Sequence, residues 1–309
     1  HQQREAAHQA RERSRSTAGC NDDDDRVAAL NALLQMDADR ALPILRRVLA
    51  RRDECSEVLL RKAVFLVAQK VTPETEDILL ETMRSDPDGE VREQAVFWLS
   101  QVPTEKAVNA LEQILRGSRD SNLREKALFA LSQHRSPRGG AILREVARSD
   151  SMSGDIREKA IFWIGQRRST ENATFLRELY GRLGSEALKE KVLFSVSQMR
   201  GEGNEAWLLE IATNQRESIE MRKKALFWAG QSGMSTSELA AMYDRLGDAE
   251  MKGQAIFVLS QKNDRAAADK LMSIAKTERD SDLRKKAVFW LSQSRDPRVA
   301  EFLESLISQ

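Results

Sequence analysis

VREQAVFWLSQ, residues 91–101, recurs with its Phe and Gln in fixed register as LREKALFALSQ (123–133), IREKAIFWIGQ (156–166) and LRKKAVFWLSQ (283–293). The same register runs through most of the chain. Phe65, Phe97, Phe129, Phe162, Phe194, Phe227, Phe257 and Phe289 recur every 30 to 33 residues, each four positions before a Gln. The Gln partners are Gln69, Gln101, Gln133, Gln166, Gln198, Gln231, Gln261 and Gln293. A fixed period in this range, carried by a phrase rather than by composition, marks a solenoid built from one supersecondary unit.

Each phrase lacks an internal Pro and has the length of a helix of about three turns. A capping Asp precedes or opens it: Asp86, Asp120, Asp155 and Asp282 are the expected caps. A second helical phrase follows each one, as in PTEKAVNALEQILRG (103–117), STENATFLRELYGR (169–182) and DPRVAEFLESLI (296–307). Pro43, Pro73, Pro103, Pro137 and Pro297 are expected in first turns, where a missing amide hydrogen costs nothing. The unit is therefore a helical hairpin, repeated about eight times. VAALNALLQ (27–35) reads as a degenerate repeat, with Asn31 where Phe is expected and Gln35 in register, and serves as an N-terminal capping helix. Residues 1–19 are polar with no apolar stripe and read as an N-terminal arm; residues 20–309 read as a single solenoid domain.

The run V-R-x-x-A-x-x-x-L-[SG], seen at Val91, Arg92, Ala95, Leu99 and Ser100, resembles the HEAT repeat. It resembles more closely the short HEAT-like repeat of phycobilin lyase proteins, over about residues 25–307. The resemblance implies an all-α fold, a right-handed α-solenoid. It implies little about function, because that architecture serves scaffolds, adaptors and a few enzymes.

At 100 degrees per residue, the positions four, seven and eight before the Gln share one arc with it, about 100 degrees wide. Ala, aliphatic and small residues cover the rest of the helix. Each Phe-bearing helix is thus buried on most sides and shows one narrow stripe of Phe, Gln and a charged pair, which the HEAT resemblance places on the concave surface. Leaving a Phe in water forgoes about 1.5 to 3 kcal/mol. The row is either a closed spine, each ring leaning on the next, or in part an open groove for a partner. Three positions before the Gln, Trp98, Trp163, Trp228 and Trp290 alternate with Leu66, Ala130, Ser195 and Val258, the large and small alternation that core packing uses. Trp207, in a first helix, reads as core as well. Arg92, Arg124, Arg157, Arg222 and Arg284 lie on the otherwise buried arc, where carbonyls or carboxylates of adjacent turns should hold them. On the stripe, Lys223, Lys224, Lys285 and Lys286 are basic, whereas Glu93, Glu125, Glu158 and Glu190 temper the middle, so the charges read as a solvated polar rim, or else as a basic patch toward the C-terminal end.

The composition narrows function further. Lys plus Arg (49) and Asp plus Glu (48) nearly cancel, so no global field attracts nucleic acid or an anionic membrane. No apolar run reaches the roughly 18 residues of a transmembrane helix. His1 and His8 lie in the arm, and His134 has no second ligand at metal spacing, so neither a metal nor a catalytic site is assigned. HEAT-like iron hydroxylases carry repeated His-Glu pairs, and HEAT-like DNA glycosylases a strongly basic face; this sequence has neither. No nucleophile constellation or phosphate-binding Gly loop occurs, Gly201 and Gly203 being isolated, and no cofactor or small-molecule substrate is evident. Asp22 to Asp25 read as a capping cluster at a positive helix end. Cys20 and Cys55 occupy corresponding positions in neighbouring units and are expected to form a disulfide, worth roughly 3 to 4 kcal/mol. That bond, with the absence of an initial Met, points to a periplasmic or secreted protein; two free thiols would point to the cytoplasm.

The resulting expectation is a non-catalytic scaffold or adaptor that binds a partner protein. The binding residues are the eight Phe, with Gln101, Gln133, Gln166, Gln198 and Gln231. The alternatives are a bilin-type pigment lyase or chaperone, which the resemblance alone suggests, and nucleic-acid binding through a local basic rim.

Overall fold

The computed structural model describes residues 25–51, 56–199, 201 and 203–308, and among them runs an unbroken succession of α-helices. Helix α1 (Asp25–Leu33) is followed by eight hairpins. These are α2 (Ala38–Leu49) with α3 (Ser56–Ala68), α4 (Pro73–Ser85) with α5 (Gly89–Leu99), α6 (Glu105–Gly117) with α7 (Ser121–Gln133) and α8 (Pro137–Arg148) with α9 (Gly154–Gln166). Next come α10 (Thr170–Tyr180) with α11 (Glu186–Ser197), α12 (Asn204–Thr213) with α13 (Ile219–Ser232), α14 (Thr236–Arg245) with α15 (Ala249–Lys262) and α16 (Arg265–Thr277) with α17 (Ser281–Ser292). Helix α18 (Arg298–Ile307) follows. The architecture is an all-α solenoid with the hairpin count that the Phe period implies. Cys20, Cys55, Asp22 to Asp24 and the 1–19 arm lie outside the described residues.

The chain forms two compact units, divided between Ala160 and Ile161. In the first, α3, α5 and α7 stack in order and α1 packs on α3. Their core includes Ala63, Val64, Ala95, Val96, Ala127 and Leu128, all fully buried, while α1 buries Val27, Leu30 and Leu33 as a cap would. In the second, α11, α13, α15 and α17 stack in the same way over Val192, Leu193, Ala225, Leu226, Ala255 and Ile256. The Ala and aliphatic pair just before each Phe supplies this core, which is why the pair recurs with the period.

The helix starts correct the sequence reading in detail. Asp88, not Asp86, caps α5 by accepting from the amides of Glu90 and Val91; Asp86 accepts from the amide of Asp88 itself. Asp280, not Asp282, caps α17 through the amides of Asp282 and Leu283. Asp120 caps α7 as expected, and Asp155 falls in the first turn of α9. An Asp immediately before the first helical residue aims its carboxylate at the N2 and N3 amides, whereas one inside the turn can only complement the dipole. Pro73 and Pro137 open their helices, but Pro43 lies inside α2, where it removes an interior hydrogen bond. Pro103 precedes the Thr104 cap of α6, and Pro297 is itself the residue before α18.

The Arg series joins each hairpin to itself. The Nε of Arg124, Arg157 and Arg222 donates to the carbonyls of Leu115, Ala147 and Ala212 at 3.0, 3.2 and 3.2 Å. Arg92 and Arg284 reach the carbonyls of Asp86 and Glu278 at 2.8 and 2.7 Å. These acceptors lie at or just beyond the ends of the first helices, where carbonyls lack intrahelical donors. Arg92 and Arg222 also meet Asp120 and Asp248, the N-cap residues of the next second helix, at 3.7 and 3.3 Å, forming the expected ladder within each unit.

Candidate functional site

The stripe residues hold the positions that the helical arc implies. All eight Gln are exposed. Phe97, Phe129, Phe162, Phe194, Phe227 and Phe257 are half-buried, while Phe65 and Phe289 are 38% and 57% exposed. The row is therefore neither sealed nor open. Each ring leans on neighbours and keeps one side toward solvent.

The neighbours are chiefly the tryptophans. In the first unit Phe65 meets Trp98 at 5.5 Å, Trp98 meets Phe97 edge-on at 5.0 Å, and Phe97 stacks on Phe129 at 6.1 Å with an interplanar angle of 7°. In the second, Phe162 meets Trp163 at 5.0 Å. A longer zigzag runs from Phe194 through Trp228, Phe227, Phe257 and Trp290 to Phe289, with successive centroids 4.9 to 6.1 Å apart. These are the offset and edge-on geometries that the ring quadrupole favours. The sequence reading put the four alternating Trp in the core, but they are half-buried members of the stripe. Their small counterparts Leu66, Ala130, Ser195 and Val258 are the buried ones. An indole is too large for the space between two stacked helices, so it spills onto the stripe; that size argument was available from the sequence. Trp207 is likewise half-buried, edge-on to Tyr180 at 5.3 Å.

The Gln amides are partly committed. Nε2 of Gln101, Gln133, Gln198, Gln261 and Gln293 donates to the hydroxyl of the preceding Ser at 3.0 to 3.2 Å. Ser132, Ser197, Ser260 and Ser292 pass the bond on to the carbonyls of Phe129, Phe194, Phe257 and Phe289. This relay commits one amide N–H and leaves the amide oxygen as an acceptor. Gln166 and Gln231 follow Gly165 and Gly230, so they have no such hydroxyl.

Charges on the stripe pair diagonally between consecutive repeats. The residue eight before one Gln meets the residue seven before the next: Glu93 with Lys126 at 3.9 Å, and, closer, Glu125 with Lys159 and Glu190 with Lys224. Where the first member is cationic, at Arg61 and Lys223, the second is neutral, Gln94 and Gln254. The stripe thereby cancels its own charge in the middle.

Three groups of polar residues outside the stripe escaped the sequence reading. Lys189 and Lys252 stand where other repeats have the hairpin Arg. Each lies over a Tyr ring, Tyr180 at 4.9 Å and Tyr243 at 5.1 Å, and pairs with Glu217 or Glu278 at 2.9 and 3.0 Å. The Tyr hydroxyls donate to the same carboxylates at 3.2 and 2.7 Å. Hydrogen bonds from Tyr243 and Lys252 hold the Glu278 carboxyl down at about 2, and burial pushes both Tyr hydroxyls up. Second, His134 is fully buried; its Nε2 donates to the Val102 carbonyl at 2.7 Å and its Nδ1 accepts from the Ser136 amide at 3.0 Å. Third, Lys70 and Lys262, at the same place after their Gln, cap carbonyls of the previous repeat, Leu34 and Gly230, each at 2.7 Å. These are structural staples. Only side-chain reach across a repeat reveals them, which no spacing within one phrase encodes.

Residues 76–154 match the family model for HEAT repeats. Among solved structures the chain is similar to a homology model of the full-length AP-3 complex, with TM-score 0.51 and 12% identity, over 92% of this chain and 57% of that one. It is also similar to Kap95p in its complex with RanGDP, at TM-score 0.47 and 11% identity over 86% of this chain and 43% of that one. The CpcE–CpcF complex of the phycocyanin lyase of Nostoc sp. gives TM-score 0.36 and 17% identity, over 75% of this chain and 94% of that one. At such identities the first of these is a likeness of fold alone. No curated protein matches the sequence. HEAT solenoids typically serve as protein-interaction scaffolds, and among the described residues no helix is long and apolar enough to cross a membrane.

Proposed function

We propose that this protein is a non-catalytic scaffold, one solenoid domain over residues 20–309, which binds a partner protein along its stripe of Phe, Trp and Gln. The observation that carries the reading is the half-burial of the ring row beside an exposed Gln row. A purely structural spine gains by sealing its rings, at about 25 cal/mol per Å² of apolar surface withdrawn from water. Here each unit leaves that surface facing outward, next to amide oxygens left as acceptors. Apolar contact from the rings and hydrogen bonds from the amides suit an extended segment or a helix of a partner.

The test is capture of a partner by the protein and by the Phe162→Ala, Phe194→Ala variant, with thermal unfolding of both measured in parallel. The partner is lost while the fold persists. Equal capture by the two proteins would refute the reading and leave the rings as packing.

A further inference from the structure

The charge ladder on the stripe ends with a deletion. The steps Glu93–Lys126, Glu125–Lys159 and Glu190–Lys224 each give a Lys a carboxylate from the repeat before it. The last step offers Lys286 no carboxylate, because the residue eight before Gln261 is Gly253. The Lys286 side chain lies across that glycine: a Cβ built on Gly253 would stand 2.9 Å from Nζ and 3.7 Å from Cδ. Lys285 occupies the other ladder position of the same repeat. Among the described residues it pairs with Asp282 of its own helix, at 3.3 Å, with the two side chains 76% and 80% exposed. The ladder positions of the last two repeats are thus Gly253, Gln254, Lys285 and Lys286, two cations and no acid. Lys223, one repeat earlier, is compensated by Glu220 and Glu250 at 3.1 and 3.9 Å.

This cationic end coincides with the most open ring of the row. Lys285 and Lys286 precede Phe289 by four and three residues, so all three share one helix face. Phe289 is 57% exposed and rests on Trp290, which in turn meets Phe257 at 5.2 Å. A carboxylate set at Lys286 would therefore lie beside an apolar shelf.

On the reading of the stripe as a partner-binding surface, we infer that its C-terminal end receives an acidic segment of the partner in which a carboxylate neighbours an aromatic or leucine side chain. Lys286 takes the carboxylate in the place that Glu holds in the other steps, Lys285 turns from Asp282 toward a second acid, and Phe289 with Trp290 covers the apolar side chain. Nucleic acid fits less well. Its affinity comes from many neutralised phosphates, and here the ladder gives no acid to Lys286 and Lys285 has only Asp282 of its own helix, on a chain of net charge +1.

Gly253→Glu tests this directly. The added Cβ crowds only the far end of the Lys286 side chain, meeting Leu283 Cδ2 at an ordinary 3.8 Å, and the variant supplies the carboxylate of the other steps and replaces glycine inside a helix, so the fold is retained. The full chain and this variant are each used to select from a phage-displayed library of random peptides, and a selected peptide is synthesised for titration. The wild type enriches peptides pairing Asp or Glu with an aromatic residue or Leu. Gly253→Glu and Lys286→Glu weaken the synthesised peptide about tenfold or more, as loss of a charge-assisted contact requires. Absence of enrichment, enrichment of basic peptides, or tighter binding of a short single-stranded DNA than of the selected peptide overturns the inference. Should Gly253→Glu leave binding intact while the Phe162→Ala, Phe194→Ala variant abolishes it, the stripe stands as the partner site and the acidic anchor falls. Should neither variant alter binding, both fall.

Discussion

Gly230→Ala probes the contact that sets how closely two repeats approach. Gly230 is the residue before Gln231, and the residue opposite it in the next repeat is Val258, 1% exposed. A Cβ on Gly230 would stand 2.3 Å from Val258 Cγ1, far inside the separation of about 3.5 to 4.0 Å at which carbons attract. Overpacking of this kind costs about 1 to 3 kcal/mol, and the better helix propensity of Ala returns about 1 kcal/mol. The single substitution is thus destabilising by about 1 kcal/mol. Val258→Ala alone removes two buried methyl groups at about 0.8 kcal/mol each, more with the cavity left behind. In the double variant the clash is gone and the propensity gain remains. The two changes together then cost less than their sum by about 1 to 3 kcal/mol. Urea unfolding followed by circular dichroism on the four proteins of the cycle measures that difference. Additivity within about 0.5 kcal/mol would refute the reasoning, because it would mean that the helices shift apart without resistance.

Two further outcomes follow from the staples. The Glu278 carboxyl is held at about 2, so its contribution is present above the ordinary carboxylate value and is lost as pH falls through about 2. Glu278→Gln should accordingly be less stable than wild type at neutral pH, with the gap closing as pH drops from about 4.5 toward 2 in thermal melts; a gap independent of pH in that window would contradict the assignment. His134→Ala strands the Val102 carbonyl and the Ser136 amide in a buried place, and should lower stability by about 1 to 3 kcal/mol, read as a fall in the urea midpoint.

The hairpin array and the Phe and Gln stripe were legible in the sequence because both rest on contacts within one phrase. The Ala and aliphatic pair must be buried, and the Phe, four residues before its Gln, must then share the opposite arc. Cap positions were legible only to within two residues. Asp86 and Asp88 are equally good caps by type, and the turn that selects Asp88 depends on where α4 ends. The Trp reading failed for a related reason. Alternation of large and small residues is the same in a buried layer and in a half-open stripe, and what distinguishes them is the room between α3, α5 and α7 or their counterparts. In the Tyr, Lys and Glu clusters the Lys and Glu lie 28 or 26 positions apart and the Tyr and Glu 37 or 35, and so do not appear in any single repeat.

The same period that builds the stripe divides its work. In the proposed partner-binding role, the steps at which Glu93, Glu125 and Glu190 are matched by the next Lys offer a partner no net Coulomb attraction, and recognition there falls to ring contact and to the Gln amides. Within each unit such contacts recur from repeat to repeat, and a recurring track cannot by itself choose the register or direction of a segment lying along it. An end at which the ladder gives Lys286 no acid and Lys285 has only Asp282 can choose both. Complementary charge confined to one end speeds encounter and penalises the reversed orientation more than it adds affinity. Removing a single carboxylate, by placing glycine at 253, is the least change to the repeat that gives the track such an end.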